Sequence, residues 1–187
     1  MKPLKRGSNV ALSREIPHLS TIVIGARFDA GPERAVSDNL VLATILCNPE
    51  NKALTGAHFV FFNQLTSPDL SVTQLAEALD GDDEQIEIDL HDVPLDVARI
   101  VVVVYLNDGI GPSRTLGRLR ECTIRVVNEV GNVELVRSEN LALGLVSETG
   151  MALGEIYRHD GGWKFRVLGA GYENGILGIA ADYGVHL

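Results

Sequence analysis

Ile100-Val101-Val102-Val103-Val104-Tyr105 is an unbroken apolar run, five of its six residues β-branched. It reads as a strand buried on both faces, hence central in its sheet, because a half-exposed strand would alternate apolar with polar. On its amino-terminal side, residues 21–28, 40–46, 58–62 and 85–90 are likewise rich in β-branched, aromatic or strictly alternating residues. On its carboxyl-terminal side, residues 123–127 and 132–137 flank Asn128-Glu129-Val130-Gly131, which suits a tight hairpin. Residues 151–158 and 163–167 are joined in the same way through His159-Asp160-Gly161-Gly162. About eight to ten strands separated by Gly, Pro, Asn and Asp clusters predict a mainly β fold, a two-layer antiparallel β-sandwich with a few short helices.

Two stretches break the pattern. In residues 71–79, Val72, Leu75, Ala76 and Leu79 fall at helical spacing, and Ser71 with Gln74 makes a capping-box pattern, so a short helix is expected before the acidic turn. Residues 172–183 place Ile176, Leu177, Ile179 and Ala180 in a second helical pattern with Gly184 as its C-cap. That helix is expected to plug one open end of the sandwich.

The 187 residues fit one domain spanning 1–187, with no repeat or linker to divide them. A formal net charge of -9 argues against a nucleic-acid partner, which needs a basic face to release counterions. Cys47 and Cys122 each adjoin apolar residues and read as small buried hydrophobes in a reducing compartment. The basic amino terminus, Met1 to Gly7, is followed by no apolar signal core, and no window has the apolar length of a spanning helix. A soluble, cytoplasmic protein with no transmembrane segment is expected.

The chemistry-bearing residues are oxygen donors. Asp80-Gly81-Asp82-Asp83-Glu84 puts four carboxylates into five residues at the mouth of the strand at 85–90. Such crowding is tolerable if solvent screens the charges, as in an ordinary acidic turn, or if a hard cation sits among the oxygens; calcium is the natural candidate. Asn63 follows one strand, Asn107 and Asp108 follow another, and Asp38 precedes a third. Converging on one rim, Asp38, Asn63, Asp82, Asp83, Glu84, Asn107 and Asp108 would offer calcium some of its preferred ~6–8 oxygens. Asn and Asp are also ordinary turn formers. His18, His58, His91, His159 and His186 lack the spacing of a zinc or iron site, and no Gly-x-Ser-x-Gly elbow is present, so no catalytic residue is assigned.

The order of several segments resembles the TerD family of bacterial tellurium-resistance and stress proteins. The resemblance is carried by Phe59-Val60-Phe61-Phe62-Asn63 followed by Ser67-Pro68-Asp69, by Gly81-Asp82-Asp83-Glu84-Gln85-Ile86, and by Ile124-Arg125-Val126-Val127-Asn128. It continues in Gly154-Glu155-Ile156-Tyr157-Arg158-His159, Trp163-Lys164-Phe165, and Gly171-Tyr172 through Asp182-Tyr183-Gly184-Val185. The resemblance implies a cytoplasmic β-sandwich that binds calcium on acidic loops and has no established catalytic activity. It also implies protein partners in membrane-linked stress-response assemblies. Asp82, Asp83 and Glu84 match the family's acidic loop, and Asn63 and Asn107-Asp108 fall at matching strand ends.

The chain departs from the pattern in two places. Where the family carries an Asp-Phe-Asp-Leu-Asp run, this sequence has Ser37-Asp38-Asn39-Leu40-Val41, and the family's Gly- and Asp-rich loop ahead of the acidic turn is shortened. Fewer carboxylates mean weaker calcium binding. The expectation is a single low-affinity site or, alternatively, a calcium-independent interaction module that keeps the fold.

Overall fold

The computed structural model describes residues 1–107 and 114–187. In chain order the strands are β1 (Asn9–Ala11), β2 (Thr21–Asp29), β3 (Leu40–Cys47), β4 (Phe59–Val60), β5 (Val72–Gln74) and β6 (Glu84–Asp89). They continue as β7 (Arg99–Leu106), β8 (Glu121–Asn128), β9 (Val133–Arg137), β10 (Gly150–His159) and β11 (Gly162–Tyr172). Helices α1 (Leu12–Glu15), α2 (Arg34–Ser37) and α3 (Gly175–Tyr183) complete the set, with 3-10 turns at Gly56–His58 and Leu116–Arg118. Two antiparallel sheets form, ordered β1-β11-β10-β7-β3-β4 and β5-β6-β2-β8-β9. The mainly β, two-layer architecture is therefore as expected.

β7 lies between β10 and β3 and is buried on both faces, as its unbroken apolar run requires. Ile100, Val102 and Val104 point into the space between the sheets, against Ile24, Ile86, Ile124 and Phe165. Val101, Val103 and Tyr105 belong to a separate apolar cluster on the outer face of the same sheet, together with Ile176, Ile179 and Tyr183 of α3. This corrects the expected position of the carboxyl-terminal helix: α3 covers the outside of the six-stranded sheet and does not plug an end. The reason is the central strand itself, whose outward valines would otherwise face water. α3 ends at Gly184, in the left-handed conformation at φ 67°.

The helix expected over 71–79 is also corrected. Val72 and Gln74 are buried and Thr73 is half-buried, a period of two, and they pair with Ile88, Ile86 and Glu87 of β6. Ser71 does not cap a helix; its backbone N–H and hydroxyl both donate to Asp69 Oδ1, which also accepts from Ser67 Oγ at 2.8 Å. Burial pushes the Asp69 carboxyl up, but these Ser71 and Ser67 hydrogen bonds outweigh it and hold the group below its ordinary value. The strand expected over 58–62 is reduced to β4, since Phe61 and Gln64 close a turn by bonding each other's backbone. At the β10–β11 hairpin, His159 pairs with Gly162, and Asp160 and Gly161 take φ of 49° and 76°, a two-residue left-handed loop matched to strand twist.

Val102 is fully buried in the middle of β7. Val102→Ala should lower the unfolding free energy by about 1 to 3 kcal/mol through lost burial and an unfilled cavity, read by chemical denaturation. An unchanged midpoint would mean that β7 is not central.

Candidate cation site at the acidic rim

The register of the sheets brings several chain segments to one end of the sandwich. β6 begins there with Glu84 opposite Ala26, β8 begins with Glu121 opposite Asp29, and β3 begins with Leu40 opposite Leu106 of β7. The acidic turn enters at this rim, and each of its four carboxylates has a separate partner. Asp80 accepts from Asn132 Nδ2 at 2.9 Å. Asp83 accepts from the Phe28 N–H at 2.7 Å, and Glu84 Oε2 from Gln74 Nε2 at 2.5 Å.

Asp82 turns inward, and its side chain is fully buried. Arg125 clamps it with Nε at 3.0 Å and Nη2 at 2.8 Å, Arg27 Nε donates at 3.2 Å, and Gln85 Nε2 donates at 2.9 Å. The hydrogen bond to Asp82 raises the Arg125 pKa above its ordinary value, against the opposing effect of burial. The ion pairs continue outward, with Arg125 reaching Glu134 at 3.3 Å and Arg137 reaching Glu134 at 2.6 Å. Burial pushes the Glu134 carboxyl up, but Arg137 and Arg125 more than offset it and hold the group below its ordinary value. The picture of mutually repelling acids awaiting solvent or an ion is thus corrected: Asp82 is neutralised by the protein's own guanidinium groups.

This geometry depends on Gly25. A Cβ at that position would stand 2.0 Å from Asp82 Oδ2, so only a glycine in β2 lets the acidic turn lie down on the five-stranded sheet. Arg27, Arg125 and Gly25 are the residues that sequence reasoning missed. The available signal was the glycine interrupting an otherwise β-branched strand, which often marks a close backbone approach.

With Asp82 engaged and Asp80 turned to Asn132, Asp83 and Glu84 are the carboxylates of the acidic turn that face the rim. They line one small cavity with Phe28, Ser37 and Leu40. Burial pushes the Glu84 carboxyl above its ordinary value; the Gln74 hydrogen bond pulls it back, and the Asp83 charge adds to the rise. Asp38 caps α2 beside this cavity, and Asn107 is tied to the same segment by its N–H on Asn39 O at 3.0 Å. Asn63 sits apart in the exposed Phe61–Gln64 turn at the edge beyond β4, and no hydrogen bond joins it to Asp83 or Glu84. Asp108 lies outside the described residues.

The donor set fits a hydrated cation better than a full protein cage. Two carboxylates remain, each with one oxygen already hydrogen-bonded, and Gln74 Oε1 is buried without a partner next to them. Among the described residues, no three His, Cys, Asp or Glu side chains come together as metal donors. An ion here would keep much of its water, as weak oxygen sites do.

Asp82→Ala should destabilise the fold by about 1 to 3 kcal/mol, since it takes the buried carboxylate from Arg125 and Arg27 and leaves them only Glu134 and the Asp80 carbonyl. Gly25→Ala should act in the same direction, by about 1 to 3 kcal/mol, as the added methyl displaces the carboxylate. Both are read from denaturant midpoints; an Asp82→Ala protein as stable as the native one would contradict the clamp.

Comparison with known proteins agrees with this fold. The family described as TerD domain matches residues 1–183. Tellurium resistance protein TerD of Alcaligenes sp is 35% identical over 187 residues, covering 98% of this chain and 97% of its own. General stress protein 16U of Bacillus subtilis is 34% identical over 189 residues, with coverage of 98% and 97%. A solved Streptomyces coelicolor homologue of telluride resistance protein (TerD) superposes with a TM-score of 0.65 at 19% identity, covering 87% of this chain and 95% of that one, which shows a shared fold. Because the match runs along nearly the whole sequence, the chain belongs to the TerD family.

Proposed function

We propose that this chain is a non-enzymatic, cytoplasmic stress-response protein that takes one calcium ion weakly at the acidic rim and acts through protein partners. The stress-response part draws on relatives named as tellurium resistance and general stress proteins. The observation that carries the calcium part is the Asp83–Glu84 pair on a shared cavity, with Glu84 pushed toward its protonated form by burial and by its neighbour's charge. A cation placed there would relieve both effects, and would tie the acidic turn to the α2–β3 segment through Ser37. Two carboxylates put the affinity at the weak end, with a Kd of about 10⁻⁴ to 10⁻³ M.

The cytoplasmic location is supported by Cys47 and Cys122, both free and buried, with burial pushing each thiol up to about 12. Such thiols suit a reducing compartment and are poor nucleophiles. No helix among the described residues is long and apolar enough to cross a membrane.

A second reading is a calcium-independent interaction module. It is favoured by the diversion of Asp82 to Arg27 and Arg125, which removes the most central carboxylate of the turn from any ligand set.

Calorimetric titration of chelator-treated protein separates the two. The calcium reading expects a saturable heat below about 1 mM that Asp83→Asn with Glu84→Gln abolishes. A silent titration, or an unaffected double variant, overturns it and leaves the interaction module. The raised Glu84 pKa adds a pH signature. Its protonated form is favoured in the fold, so its contribution to stability is present at acid pH and is lost as pH rises through the folded value. Glu84→Gln alone should therefore stabilise the calcium-free protein at neutral pH, and native calcium affinity should fall as pH drops through the raised pKa. A Glu84→Gln melting temperature below that of the native protein would contradict this assignment.

A further inference from the structure

The end of the sandwich opposite the acidic rim has a different character. Thr21 pairs with Asp89 there, Cys47 with Arg99, and the β10–β11 hairpin turns over at His159 to Gly162. Two adjoining clefts of about 440 and 680 Å³ share Ser13, Gly161 and Trp163, the single tryptophan of the chain.

In a chain of net charge -9, this lining carries unneutralised cations. Arg158 donates from Nε to Val97 O at 2.9 Å and from Nη2 to Val93 O at 2.9 Å and Pro94 O at 3.0 Å. Its guanidinium stacks over Trp163, 4.3 Å from the ring centroid. These contacts fix the group without cancelling its charge, because all three acceptors are neutral carbonyls and a guanidinium keeps its proton. Arg14 and Lys164 line the neighbouring cleft, and neither side chain has a hydrogen bond or ion pair among the described residues. His18 faces the larger cleft from a left-handed backbone at φ 69°. Of the two carboxylates on the walls, Asp160 lies 3.1 Å from His159 and Asp92 is exposed.

The geometry points to a binding site for a phosphate-bearing anion in this double cleft. Arg14 and Lys164 line its smaller lobe as unpaired cations, Arg158 lines the larger lobe as a fixed one, and Trp163 is a wall that the two lobes share. Two unpaired cations on one cleft suit a doubly charged tetrahedral group better than a single carboxylate. The phosphate could be that of a small soluble ester or of a lipid headgroup. The site uses no residue of the acidic rim, so it is independent of the calcium reading.

Trp163 is a built-in reporter. Its fluorescence should change saturably as inorganic phosphate replaces chloride at constant ionic strength, with calorimetry as the second readout. Arg14→Ala with Lys164→Ala should weaken binding by about tenfold or more. Arg14→Gln alone, at an exposed position, should weaken it without altering the melting temperature. Asp83→Asn with Glu84→Gln should leave it unchanged. A parallel titration compares phosphatidylcholine vesicles with and without phosphatidic acid: a response to free phosphate identifies the soluble source, and a response only to phosphatidic acid identifies the headgroup. No saturable signal in either arm, or native affinity in the Arg14/Lys164 double variant, overturns the site.

Discussion

The acidic turn is held by one buried carboxylate. Asp82 sits on the outer face of the five-stranded sheet between Arg125 and Arg27, over the bare backbone of Gly25. An unpaired charge in that position would be prohibitive; with two guanidinium groups and Gln85 around it, the charge is fully compensated. The clamp fixes where the turn ends and β6 begins. It therefore decides that Asp83 and Glu84, and not Asp82, present their carboxylates to the rim cavity.

A second constraint acts on the other sheet. β7 is apolar on both faces, so the six-stranded sheet needs two covers. The five-stranded sheet supplies one and α3 the other, and the chain's ends are thereby drawn onto the same scaffold. What remains exposed is sorted by strand direction: carboxylates gather where β6 and β8 start, and Arg14, Arg158 and Lys164 gather near the β10–β11 turn.

The strands were legible because their signals are local. The valine run at Val101 to Val104, the turn from Asn128 to Gly131 and the Asp160-Gly161 hairpin each specify geometry within a few residues. The helix read into residues 71–79 failed because Val72, Leu75, Ala76 and Leu79 fit a helical period while Val72 and Gln74 fit a period of two, and pairing with β6 decided between them. The position of α3 failed for a related reason: an apolar stripe shows that a helix packs, not against what. At the site, the acidic turn and its neighbours at Ser37 and Asp38 were visible as oxygen-rich sequence. The division of labour within the turn was not, because Arg27 and Arg125 lie 55 and 43 residues from Asp82 in the chain and meet it only through sheet register. Gly25 alone marked the place.

The central claim is that the acidic run is split between an internal counter-ion and an ion-facing pair. An anomalous difference map from a crystal grown in millimolar calcium tests it most directly. The account predicts one peak within coordination distance of Asp83 and Glu84, with Asp82 still bound by Arg125 and Arg27. A peak on Asp82 with the arginines displaced, or no peak at the rim, would contradict it.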